Sequence, residues 1–99
     1  MAYAVEFSDK ARFELFNAWS WYELQQPELG NKFEEEVYNK VRLILRNPLH
    51  YTSYRNFRQV KIETFPYLIV YNVNNERNLI LILSIFHTSR HPGKKSKHV

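Results

Sequence analysis

His87, Arg58, Lys61 and Arg90 are the residues of this chain whose types and spacing best suit chemistry on a phosphate. An imidazole titrates near neutrality and can serve as acid or base, while guanidinium and ammonium groups can brace a phosphate. Metal-free cleavage of RNA through its 2′-hydroxyl needs those parts: one group takes a proton, one protonates the leaving oxygen, and cations surround the phosphate. For that chemistry His87, Arg90 and Arg58 are the catalytic candidates. Arg58 and Lys61 fall on opposite faces of an ideal strand, so without a bulge only one of them lines a shared site. Each residue also has a plainer role: a strand-end histidine bonded to backbone for His87, a surface ion pair for Arg90.

A metal is not expected. His91 and His98 flank lysines with no ligand-like companion, and the spacing of His87 and His91 brings two imidazoles together only on a helix. The chain has no cysteine, so thiolate ligands, cysteine nucleophiles and disulfides are excluded, which favours a reducing cytoplasm. It has neither a Gly-rich phosphate loop nor a Walker lysine, and no cofactor is expected.

The net charge of +4 is concentrated at one end. All ten acidic residues lie at or before Glu76 and ten of the fourteen Lys and Arg at or before Arg77, so residues 1–86 balance. The excess is Arg90, Lys94, Lys95 and Lys97. A clustered positive end attracts phosphate backbones or an acidic protein surface, and Arg58, Lys61, Arg90, Lys94 and Lys95 are the candidate contacts to such a target. A solubilising role for the tail is the simpler alternative.

The elements that must position these groups can be read from periodicity. YAVEF, at Tyr3 to Phe7, is rich in strand formers, and Ser8 before Asp9 offers a helix N-cap. Ala11, Leu15, Ala18, Trp19 and Tyr22 line one face of a helix ending near Gln26, with Lys10, Glu14, Asn17 and Glu23 on its polar side. After Pro27 and Gly30, Phe33, Val37, Val41, Ile44 and Leu45 mark a second helix, closed by Asn47 and Pro48. The short junction implies an antiparallel helix hairpin whose wet side carries Glu34, Glu35, Glu36, Lys40 and Arg42, with Glu36 and Lys40 spaced to pair. LHYTSYRN reads as an irregular connection; Tyr51, Tyr54 and Phe57, near an arginine, could stack on bases, but more simply pin the connection to the core, as Trp19, Trp21 and Tyr22 belong first to the core or edge of the helix hairpin. FRQVKIE, YLIVYNV and LILILSIF then predict a three-stranded antiparallel meander. LILILSIF is apolar on both faces and belongs inside the sheet, so His87 and Arg90 stand at a rigidly held strand end.

The expected class is α+β in a single domain, with residues 1–92 forming the domain and 93–99 a basic tail. The N-terminus lacks the pattern of a secretory signal, and the apolar run Leu79 to Phe86 is far shorter than a membrane-spanning helix, so no membrane partner is expected.

Several words in this order resemble the RelE/ParE superfamily of toxins from type II toxin–antitoxin modules. They are Ala11-x-x-x-Leu15, the junction WYELQ-x-P-x-L-G-x-x-F from Trp21 to Phe33, ILRNP at Ile44 to Pro48, FPYLIVY at Phe65 to Tyr71, and His87-x-x-Arg90-x-Pro92. The resemblance implies a small toxin that arrests growth and is silenced by a cognate antitoxin wrapped around it, with operator DNA contacted only through that antitoxin. One branch is similar to ribosome-dependent mRNA endonucleases, for which His87, Arg90 and Arg58 would be catalytic; the other poisons DNA gyrase without being an enzyme. Many nucleases of the family resemble one another in a tyrosine after the last strand, whereas here the last tyrosine is Tyr71 and the closing word HTSRHP looks ParE-like. The resemblance therefore implies the gyrase branch, with the nuclease or a non-toxic binding relative as alternatives.

Overall fold

The computed structural model describes residues 2–90, with Arg90 described through its backbone. Strand β1 (Ala4–Phe7) leads into helices α1 (Asp9–Gln25) and α2 (Leu29–Arg46), followed by β2 (Ser53–Tyr54), β3 (Phe57–Lys61), β4 (Tyr67–Asn74) and β5 (Leu79–His87), with a 3₁₀ turn at Thr88–Arg90. Among the described residues the strands form one mixed sheet in the order β1-β5-β4-β3-β2. The expected meander is present as β3, β4 and β5. The N-terminal strand joins it parallel to β5, and LHYTSYRN contributes a two-residue strand, β2, hydrogen-bonded to β3 instead of remaining irregular. Strand β5 lies between β1 and β4, the inner position its two-sided apolarity requires.

The register of β4 against β5 shifts by one between Val70 and Tyr71, leaving Leu83 without a partner on β4. This bulge resets the alternation, so that Ile82 and Ile85, three residues apart, both reach the buried side. The core they join is aromatic at its centre. Phe33 of α2 packs its ring 5.4 Å from Tyr22, 5.3 Å from Phe65 and 4.9 Å from Tyr67.

Polar side chains that the periodicity assigns to the wet side of the hairpin hold the fold together. Glu23 reaches across the helix junction, where its carboxylate accepts the N–H groups of Gly30 at 2.7 Å, Asn31 at 3.2 Å and Glu28 at 3.3 Å. It thereby caps α2, whose own N-cap residue, Glu28, is in the left-handed region and makes no side-chain cap. Lys40 is buried, and it pairs not with Glu36 but with Glu63 at 2.9 Å, while Glu36 accepts the Thr64 N–H. The connection between β3 and β4 offers both residues better-placed partners than the helix does. The Lys40 ammonium, by hydrogen bond and charge, holds the Glu63 carboxyl below its ordinary value.

Candidate functional site

The end of β5 is fixed from three sides. His87 lies opposite Tyr67 in the β4–β5 register, and its ring meets the Tyr67 ring edge-on at 5.1 Å. The chain then turns, with Thr88 N–H donating to the Pro66 carbonyl at 2.8 Å and Ser89 N–H to His87 Nδ1 at 3.1 Å. The Ser89 hydroxyl also lies 2.7 Å from Nδ1. A nitrogen that accepts an N–H carries no proton, so this geometry assigns the neutral ring's proton to Nε2. Since Tyr67 is part of the central aromatic cluster, the strand end is anchored to the core. Arg90 closes the turn; its side chain, together with Lys94, Lys95, Pro92 and the tail at 93–99, lies outside the described residues.

The other cations do not gather at His87. Arg58 is opposite Tyr71, roughly 13 Å along β4 from the Tyr67 level at the usual rise per residue. Its guanidinium donates to the Tyr51 carbonyl at 2.8 Å and the Leu49 carbonyl at 3.3 Å, pinning the connection after α2. Lys61 is opposite Leu68, which in turn is opposite Phe86, so it stands near the same sheet end but on the other face. The two cations thus occupy opposite faces, as their spacing requires.

A groove of about 700 Å³ runs between the flank of α1 and the sheet, with His87 at one end. Trp21, Phe57 and Phe86 supply apolar wall, and Gln59 and Asn17 supply polar contacts. Of the loop aromatics, only Tyr51 packs against the core; Phe57 lines this groove, and Tyr54 is exposed beneath the Arg55 guanidinium. The cation brought to the groove is Lys10. Its ammonium is 2.7 Å from Glu14 and 3.2 Å from the Ser84 hydroxyl, which donates to Glu14 at 2.8 Å. Glu14 also accepts the Ile85 N–H at 2.9 Å. β1 ends beside Ile82, so the edge of β5 beyond it needs partners, and Ser8 and Glu14 of the following helix provide them. The sequence signals for this cluster are the lone serine in LILILSIF and the Lys10/Glu14 spacing, neither of which reveals that the two meet.

Glu14→Ala should cost about 1–3 kcal/mol in denaturant unfolding, the range for leaving a buried donor unsatisfied. Glu14→Gln, which keeps an acceptor, should recover most of that loss. Tyr71 gives a pH-dependent counterpart. Its hydroxyl donates to the Pro48 carbonyl at 2.7 Å, and burial pushes its pKa up from 10.0 to about 12, with the nearby Arg58 charge opposing the rise. The neutral phenol is favoured in the folded state, so its contribution is complete below about pH 10 and is lost as pH rises towards 12. Comparing wild type with Tyr71→Phe in denaturant titrations should show a stability gap of about 1–3 kcal/mol at neutral pH that narrows across that alkaline window.

Among the described residues, no group of three or more His, Cys, Asp or Glu could hold a metal ion, and no helix is long and apolar enough to cross a membrane. The family model for the ParE toxin of the type II toxin–antitoxin system parDE matches residues 5–92. The chain belongs to the ParE toxin family. The match runs from β1 through the word His87-x-x-Arg90-x-Pro92. No curated protein sequence matches the chain. Solved structures share the fold of this ParE-family chain. A chromosomal ParDE toxin–antitoxin system from P. aeruginosa superposes with a TM-score of 0.75 at 18% identity, covering 87% of this chain and 96% of that one. The isolated E. coli RelE toxin gives 0.67 at 19%, covering 98% and 96%. The intact E. coli RelBE toxin–antitoxin complex gives 0.67 at 21%, covering 87% and 96%. At these identities the likeness is one of fold.

Proposed function

We propose that this ParE-family toxin arrests growth by poisoning DNA gyrase, without acting as an enzyme, and that a cognate antitoxin silences it. The observation that carries the gyrase reading is the family match extending through the segment after β5, where the chain has HTSRHP and no tyrosine. The geometry supports a binding role over RNA cleavage. Arg58 is engaged with loop carbonyls one end of the sheet away from His87, Lys61 is on the opposite face, and His87 Nδ1 already accepts the Ser89 N–H. Arg90, which closes the turn after β5, is followed in sequence by Lys94 and Lys95, and these cations are the candidate contacts to a macromolecular target. The antitoxin segment would lie along the groove between α1 and the sheet, burying Trp21, Phe57 and Phe86 and offsetting the basic end with acidic residues.

Induction of the chain without antitoxin, followed by pulse labelling of DNA and protein, tests this reading. DNA synthesis should stop first. Arrest of protein synthesis first, with cleaved ribosome-bound message that His87→Ala or Arg90→Ala abolishes, would replace it with the RelE-like nuclease. Unimpaired growth would leave only a binding protein of the same fold.

A further inference from the structure

We propose that the outer ridge of α1 is a self-association surface, along which two copies of this chain pack as an antiparallel helix pair about a two-fold axis. The inference goes beyond the reading of gyrase and antitoxin and does not depend on it. Ala11, Leu15, Ala18 and Tyr22 face the core. At 3.6 residues per turn, Phe13, Ser20 and Leu24 fall on the diametrically opposite side, with Phe16 flanking them. Phe13 is 66% exposed, Phe16 61% and Leu24 84%, and Trp21 on the groove side is 56% exposed. A helix that is polar on its outer side needs no partner there; this one is apolar on both sides.

The ridge is preorganised. The Phe16 ring stacks on Trp19 at 6.0 Å, and the Trp19 indole N–H donates to Asn31 at 2.9 Å, which ties that pair to α2. It is also self-complementary. Its outward residues are spaced symmetrically about a point between Ala18 and Trp19, so an antiparallel pair sets Phe13 against Leu24 of the second copy and Asn17 against Ser20. The centre of the ridge is uncharged, so the two-fold brings no like charges together. The adjacent cations are engaged, Lys10 with Glu14 and Arg12 with the Phe7 carbonyl, leaving little for an acidic partner to read. Residues 91–99 have only Pro92 and Val99 as apolar side chains. At their exposures, Phe13, Phe16 and Leu24 present roughly 400 Å² of surface, on the scale of about 150–250 Å² for a whole large side chain. That is about half of the approximately 800 Å² each partner contributes to a standard interface, to which Asn17 and Ser20 add polar surface on the same side of the helix.

Sedimentation of the antitoxin-free chain over a concentration series tests the proposal. Wild type should run at twice the mass of one chain. Phe13→Lys and Leu24→Glu should each run as a monomer with an unchanged far-UV circular dichroism spectrum, and mixing the two should restore the double mass by pairing lysine with glutamate. A monomeric wild type overturns the proposal, as does a dimer indifferent to both substitutions. Loss of the dimer without recovery on mixing overturns the antiparallel pairing. An added apolar antitoxin peptide that binds a monomeric wild type and is lost in both variants would assign the ridge to that partner instead.

Discussion

Phe33→Ala is expected to destabilise the domain by about 3–5 kcal/mol, the cost of deleting a buried aromatic ring and leaving its cavity. Phe33 is fully buried and its neighbours Tyr22, Phe65 and Tyr67 belong to three different elements or connections, so none can close the gap without moving another. In a domain whose total stability is of the order of 5–15 kcal/mol, that loss removes a large share of the folded population at elevated temperature. Denaturant unfolding should show a lower midpoint with an unchanged slope. Tyr67 also carries the His87 ring, so the same substitution should loosen the strand end. Faster amide exchange at Thr88 and Ser89 would report that coupling, whereas Phe33→Leu, which fills most of the cavity, should do much less to both readouts.

Gly30→Ala is expected to cost about 1–3 kcal/mol although it adds a single methyl group. Alanine ordinarily stabilises a helix relative to glycine, so the sign of the effect separates close packing from propensity. A Cβ at Gly30 would overlap the Trp19 backbone carbonyl oxygen, and would approach Glu23 Cγ at 2.7 Å. The carbonyl cannot swing aside as a side-chain tip can, so the helices must separate. Separation also lengthens the 2.7 Å bond from the Gly30 N–H to Glu23, the carboxylate that caps α2. Thermal unfolding of Gly30→Ala beside an exposed-helix control such as Asn39→Ala would distinguish the two effects.

Apolar spacing made most of the architecture legible. Both helices, the meander and the inner position of β5 follow from periods of 3.6 and 2 and from the two-sided apolarity of LILILSIF. The local patterns were silent where a partner is distant in sequence. Glu23 and Lys40 look like solvated helix residues, because nothing near them announces the Gly30 amide or Glu63 that they meet. β2 is two residues long and exists through its pairing with β3, which local propensity does not encode. The parallel docking of β1 likewise depends on the helix hairpin carrying the chain across to β5.

The candidate site divides in the same way. Alternation correctly separated Arg58 from Lys61, since register alone decides faces. It could not reveal that Arg58 is spent on the carbonyls of Leu49 and Tyr51. The groove was hidden too, because it joins α1 to three strands, and its Lys10–Glu14–Ser84 cluster spans more than 70 positions in the chain. Trp21 and Phe57, which read first as core or loop anchors, form its wall.

The most direct measurement is a supercoiling assay with purified, antitoxin-free chain, DNA gyrase and relaxed plasmid. The expected result is inhibited supercoiling with accumulation of broken plasmid once the protein is digested, suppressed when antitoxin is added first. Full supercoiling at excess folded chain, with ribosome-bound mRNA cut by the same preparation, would contradict the assignment.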